Sequence, residues 1–159
     1  MRIDVHPSSY RHPSRRLYGH HKLCALAIDP VEKKPLRELL PYLDAANIDI
    51  KAMDNDFYWK YCRATLAPVL DNILTMINAG IHVEITNLIV TGLNDSEDQI
   101  RALCTWMAEN GLQNVPLHFS RFFSRYKFTA VARTPESSLL GAREIAQSGG
   151  IKTVYLGNI

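Results

Sequence analysis

The stretch "NIDIKAMD", residues 47–54, decides how the chain is read. Side chains alternate along a strand, so Ile48 and Ile50 point one way while Asn47, Asp49 and Lys51 point the other. An acid and a base on one face suit a solvated edge strand. They equally suit a site built on the end of a barrel or open-sheet strand. Working outward, "IHVEITNLIV" (81–90) is a second strand, rich in β-branched residues, with His82, Glu84 and Thr86 on one face and Val83, Ile85, Asn87 and Ile89 on the other. "VPLHFSR" adds a third, where His118 and Ser120 share a face and Arg121 follows. A parallel strand covered on both sides reads as a near-continuous aliphatic run. Three successive strands alternating polar and apolar residues suit a polar lumen that holds a ligand, or a set of residues that satisfy one another in Asp49–Lys51 and Glu84–His82 pairs.

Helical patterns separate these strands. "VEKKPLRELLPYLDAA" reads as a short helix with Leu36, Leu39, Leu40 and Leu43 on one face, and Pro41 predicts a kink or two short helices. "DNDFYWKYCRATLAPVLDNILTMINAG" predicts two helices meeting near Pro68, and Gly80 a C-cap. "SEDQIRALCTWMAENG" opens on Ser96 as N-cap with acids in its first turn. "FSRYKFTAVARTPE" has no periodicity and predicts a functional loop. "ESSLLGAREIAQSGG" is a helix and "KTVYLGN" a last strand, where Tyr155 shares a face with Thr153. With "LCALAI" (23–28) as a possible first strand, the order is (β)α–β–αα–β–α–β–α–β, which implies an α/β fold with a parallel sheet.

Length and composition bound the rest. A chain of 159 residues with 47% hydrophobic residues fills one domain core. Lys+Arg 18 against Asp+Glu 16 demands neither a nucleic-acid nor an anionic-membrane partner. No apolar run approaches the roughly 20 residues that cross a bilayer, and the polar, basic start "MRIDVHPSSYRHPSRR" lacks the apolar core of a signal peptide. A cytoplasmic location is therefore expected. Residues 1–30 read as a basic, His-rich irregular arm, whose His6, His12, His20 and His21 match no ligand spacing, and 31–159 as the folded domain. Cys24, Cys62 and Cys104 are odd in number and form neither a disulfide framework nor a metal-motif spacing, and they read as structural thiols. Trp59 and Trp106 read as core.

"PYLDAANIDIKAMDNDFYWKYC", "VEITNLIVTGLNDSEDQIRALCTWMAENG", "PLHFSRFFSRYKFTAVARTP" and "AREIAQSGGIKTVYLGN" together resemble the C-terminal half of a radical S-adenosylmethionine (radical SAM) enzyme. The group is that named after the AmmeMemoRadiSam system, itself similar to pyruvate formate-lyase activating enzymes. The resemblance runs over residues 36–158, and the D-x-K strand end, the "GLNDS" turn and "H-x-S-R-F" carry most of it. It implies a partial parallel (β/α) barrel, the C-terminal half of a TIM-like (β/α)6 fold. It implies S-adenosylmethionine as cofactor and a [4Fe–4S] cluster whose electron yields a 5′-deoxyadenosyl radical. It implies that Asp49 and Lys51 sit near the cofactor and the substrate backbone and that His118 approaches the cofactor; the shared strand face adds Glu84 and Thr86 to the expected cofactor-binding residues and Ser120 and Arg121 to the expected substrate-binding ones. The activating enzymes carry an arginine where this chain has Thr86. More consequentially, the sequence has no CxxxCxxC, so no cluster and no cluster-dependent activity are expected of this chain alone.

The chain is expected to be a truncated or split form ending where relatives continue into a cysteine-bearing tail. Its expected partners are a complementary N-terminal half, a protein or peptide substrate, or further copies joined through an open sheet edge. A non-catalytic module binding a nucleotide or peptide at the strand ends is the alternative. A Schiff-base lyase using Lys51 is a third reading.

Overall fold

A computed structural model of the chain describes residues 23–24, 33–124 and 129–159. Five parallel strands lie side by side in chain order: β1 (Leu23–Cys24), β2 (Leu43–Asp49), β3 (His82–Ile89), β4 (Leu117–Arg121) and β5 (Val154–Gly157). Sequential order with helical crossovers is how the wall of a (β/α) barrel is built, and the expected α/β parallel fold is the one observed. Residues 1–22 and 25–30 of the expected arm, and so most of "LCALAI", lie outside the described residues; Leu23 and Cys24 pair with β2.

One face of the sheet is apolar and packed. Ala46, Ile48, Val83, Ile85, Ile89, Leu117 and Phe119 are buried on it. Against it lie α3 (Leu66–Asn78) through Val69, Ile73 and Met76, α4 (Glu97–Glu109) through Ile100, Leu103 and Met107, and α5 (Glu136–Ser148) through Leu139, Ala142 and Ala146. Each helix shows one apolar stripe at helical spacing, which is why each packs on one side only. Ser96 caps α4 by accepting from Gln99 N at 3.3 Å.

Three local readings are corrected. α1 (Lys33–Leu39) ends in a 3-10 turn at Leu40–Tyr42, and Leu43 to Ala46, expected as its last turn, begin β2 instead. Pro41 has no N–H to continue the ladder, so the chain leaves the helix there. The break between the next two helices falls at Arg63, in the left-handed region at φ 54, and not at Pro68, which sits in the first turn of α3, where a missing N–H costs nothing. Before that break, α2 (Asn55–Phe57) runs into a π-helical turn, Tyr58–Cys62. That turn carries Trp59 outward, 73% exposed, so Trp59 is not core; Trp106 packs partly against the core as expected.

Candidate functional site

The other face of the sheet is polar and half-exposed. Parallel pairing sets Asp49 beside Thr86, Thr86 beside His118, and His118 beside Tyr155, so these four form one row across four strands. Strands lie about 4.8 Å apart, which puts Asp49 and His118 about 10 Å from each other, a span one nucleoside-sized ligand covers. Asn47 and Glu84 sit side by side one step toward the strand starts. Leu88, Ser120 and Gly157 follow one step toward the strand ends, where Lys51 also lies, just past β2.

The polar residues bond to one another. Lys51 Nζ donates to Asp49 Oδ2 at 2.5 Å, both side chains being 31% exposed. At that exposure an ion pair contributes at most about 1 kcal/mol, so a ligand can compete for either partner. Thr86 Oγ1 donates to Asn47 Oδ1 at 2.8 Å. The Glu84 carboxylate lies between two imidazoles, with His118 Nε2 at 2.9 Å and His82 Nε2 at 3.4 Å. The ring of His118 stacks on that of Tyr155, centroids 4.9 Å apart. Gly157 is held small by its neighbour: a Cβ there would lie 3.1 Å from Ser120 Oγ.

Lys51 is aimed from behind by residues that the alternation did not single out. Asn94, 2% exposed in the turn after β3, donates to Lys51 O at 2.5 Å and to Leu88 O at 2.8 Å, while its Oδ1 accepts from Val90 N at 2.7 Å. Asn87, 3% exposed on the helix side of β3, donates to Ile50 O at 2.7 Å. The Tyr58 hydroxyl accepts from Lys51 N at 3.0 Å, and Gln99 Oε1 accepts from Met53 N at 2.8 Å. Four side chains, from the π-helical turn, β3, the turn after it and α4, thus hold the backbone that leaves β2, and they fix where the ammonium emerges. An asparagine at an aliphatic position of the clearest strand was the available signal, because buried amides are there to be hydrogen-bonded.

The residues expected at the site are thus only partly brought together. Asp49, Lys51, Glu84, Thr86, His118 and Ser120 share the polar face. Arg121 has the opposite parity: its Nε donates to Thr134 O at 2.6 Å, and Thr134 Oγ1 in turn donates to Ile89 O at 2.6 Å. Arg121 therefore ties Thr134 to the strand ends. Its guanidinium and that of Arg133 each lie 5.8 Å from the Phe123 ring centre.

A four-iron cluster needs several convergent thiolates. Cys62 lies on the π-helical turn, and Cys104 lies on α4 beneath Gly149, where burial pushes its thiol up to about 11. Among the described residues no group of three His, Cys, Asp or Glu side chains could hold a metal ion. The described residues do not fit the cluster. The polar row, by contrast, offers an acid, an ammonium, hydroxyls and an imidazole over a nucleoside-sized span.

Comparisons with known proteins agree on the fold. The chain is 45% identical over 129 residues to an uncharacterized protein of Methanocaldococcus jannaschii, covering 81% of this chain and 38% of that one. It is 23% identical over 154 residues to the benzylsuccinate synthase activating enzyme of Thauera aromatica, covering 89% of this chain and 46% of the enzyme. The chain thus spans less than half the length of these relatives. Among solved structures, a domain of pyruvate-formate lyase-activating enzyme from Bacteroides vulgatus superposes with a TM-score of 0.68 at 19% identity, over 80% of this chain and 75% of that domain. A radical SAM methyltransferase from Sphaerobacter thermophilus superposes at 0.64 with 15% identity, over 79% of this chain and 38% of the methyltransferase. No family model matches the chain. The fold is the one these two solved domains share. No helix among the described residues is long and apolar enough to cross a membrane.

Proposed function

We propose that the chain supplies the C-terminal wall of a radical SAM site of the activating-enzyme type. The observation that carries this is the row Asp49–Thr86–His118 on the polar face of the parallel sheet, with Asp49 ending β2, Lys51 just past it and Ser120 next to the end of β4. Ligands of barrel folds bind at those ends. The fold likeness to activating-enzyme and methyltransferase domains supports S-adenosylmethionine as the occupant. Asp49 would attract a cationic group of the cofactor and Lys51 an anionic one, once their mutual pair opens. Ser120 completes the wall, and Arg121 holds Thr134 beside the strand ends. When bound, the cofactor supplies the 5′-deoxyadenosyl group.

The cluster that reduces it is assigned to a segment bearing CxxxCxxC, because no such motif occurs in this sequence. Anaerobic reconstitution with iron and sulfide tests this division of labour. The 159-residue chain alone should hold no stable cluster. Mixed with a polypeptide carrying the cysteine half and supplied with dithionite as one-electron reductant, it should cleave S-adenosylmethionine to methionine and 5′-deoxyadenosine, the deoxyadenosyl group taking its hydrogen atom from substrate or solvent components. A stable brown cluster on the chain alone would overturn the assignment.

One observation favours a second reading, a non-catalytic module that binds a nucleotide or peptide at the strand ends. Asp49–Lys51 and Glu84–His118 already satisfy one another. Under that reading the complemented mixture binds S-adenosylmethionine or a peptide and leaves the cofactor intact.

A further inference from the structure

We infer that Glu84 is a positioning residue that locks His118 in its Nε2–H tautomer, so that His118 meets a ligand on the polar face as a hydrogen-bond acceptor through Nδ1. An ionised carboxylate only accepts hydrogen bonds. Glu84 Oε2 lies 2.9 Å from His118 Nε2, so the proton between them sits on the imidazole. A neutral imidazole carries one N–H, and the nitrogen without it accepts. Three further contacts hold this arrangement. His82 Nε2 approaches the other carboxylate oxygen at 3.4 Å and keeps Glu84 from turning away. Tyr155 stacks on the His118 ring at an interplanar angle of 26°, which fixes its plane. Thr86 Oγ1 donates its hydrogen bond to Asn47 Oδ1, so Thr86, next to His118 in the row, does not spend its donor there.

His118 Nδ1 makes no hydrogen bond to a described residue, and the side chain is 27% exposed. The nitrogen is thus left for a ligand. The ligand group that meets it must be a hydroxyl or an amine, since a carboxylate or phosphate oxygen would face a lone pair. Glu84 thereby sets specificity through His118 without touching the ligand. The identity of the ligand rests on the function proposed above; the tautomer does not.

The test is nitrogen-15 NMR of the imidazoles in the ligand-free chain at a pH where His118 is neutral, with His118→Gln assigning the resonances. The wild-type spectrum should show a protonated Nε2 and an unprotonated Nδ1. Glu84→Gln, the same size and able both to donate and to accept, should move His118 toward a mixture of tautomers. A wild-type His118 protonated at Nδ1 overturns the inference, as does a spectrum unchanged in Glu84→Gln. Titration with S-adenosylmethionine adds a second readout, with binding about tenfold weaker in Glu84→Gln, equivalent to about 1.4 kcal/mol. Equal affinity in the two proteins contradicts the specificity role. The locked tautomer without any binding confirms Glu84 as the positioning residue and refutes the cofactor reading instead.

Discussion

Asn94→Ala removes the clamp behind Lys51 and should destabilise the chain far more than a polar turn residue ordinarily does. The side chain makes three hydrogen bonds, to Lys51 O, Leu88 O and Val90 N, and is 2% exposed. Each is worth about 1 kcal/mol net, and a partner left buried and unpaired costs about the same or more. The three together come to about 3 kcal/mol. Urea unfolding followed by circular dichroism measures it: with a slope of about 2 kcal/mol per molar, the midpoint should fall by about 1.5 M. Asn94→Asp separates the two halves of the clamp. It keeps the acceptor for Val90 N but turns the donor that faced two carbonyl oxygens into a carboxylate oxygen, so it should rescue little of the loss. A midpoint for Asn94→Ala within about 0.25 M of wild type, or about 0.5 kcal/mol at that slope, would refute the clamp.

Other expectations follow from the same contacts. Burial raises the Cys104 thiol to about 11, so iodoacetamide at pH 8 should label Cys62 well before Cys104. Because the folded thiol holds its proton more tightly than the unfolded one, stability should fall as pH rises between about 9 and 11; an alkaline unfolding profile flat across that window would contradict the burial argument. Gly157→Ala should cost under about 1 kcal/mol in thermal unfolding and recover in the Ser120→Ala background, since only the Ser120 hydroxyl crowds the added carbon. Trp59→Phe should leave the unfolding midpoint within about 0.5 kcal/mol of wild type, because an indole that is 73% exposed packs on little.

The sheet was legible because parity and β-branching agree along "HVEITNLI" and each helix carries a single apolar stripe. The polar face was legible for the same reason: a period of two separates lumen from core without knowledge of partners. What the sequence hid depends on distant segments meeting. Arg121 follows Ser120 directly, yet faces away from it and binds Thr134, 13 residues on. Asn94 reads as an ordinary turn residue until Lys51 O, 43 residues earlier, arrives beside it. Trp59 obeys a helical pattern, but the π-helical turn shifts it off the buried stripe. Leu43 fits a leucine face equally well as the end of a helix or the start of a strand, and Pro41 in the preceding 3-10 turn decides between them.

The central claim is that the polar strand-end face is the wall of an S-adenosylmethionine site. Amide chemical-shift mapping on the nitrogen-15-labelled chain tests it most directly, because it registers even the millimolar binding that half a site affords. The account predicts saturable shifts on adding S-adenosylmethionine that centre on Asp49, Lys51, Thr86 and His118 and disappear in Asp49→Asn/Lys51→Met. Shifts confined to the helix-covered side, or none at millimolar cofactor, would contradict it.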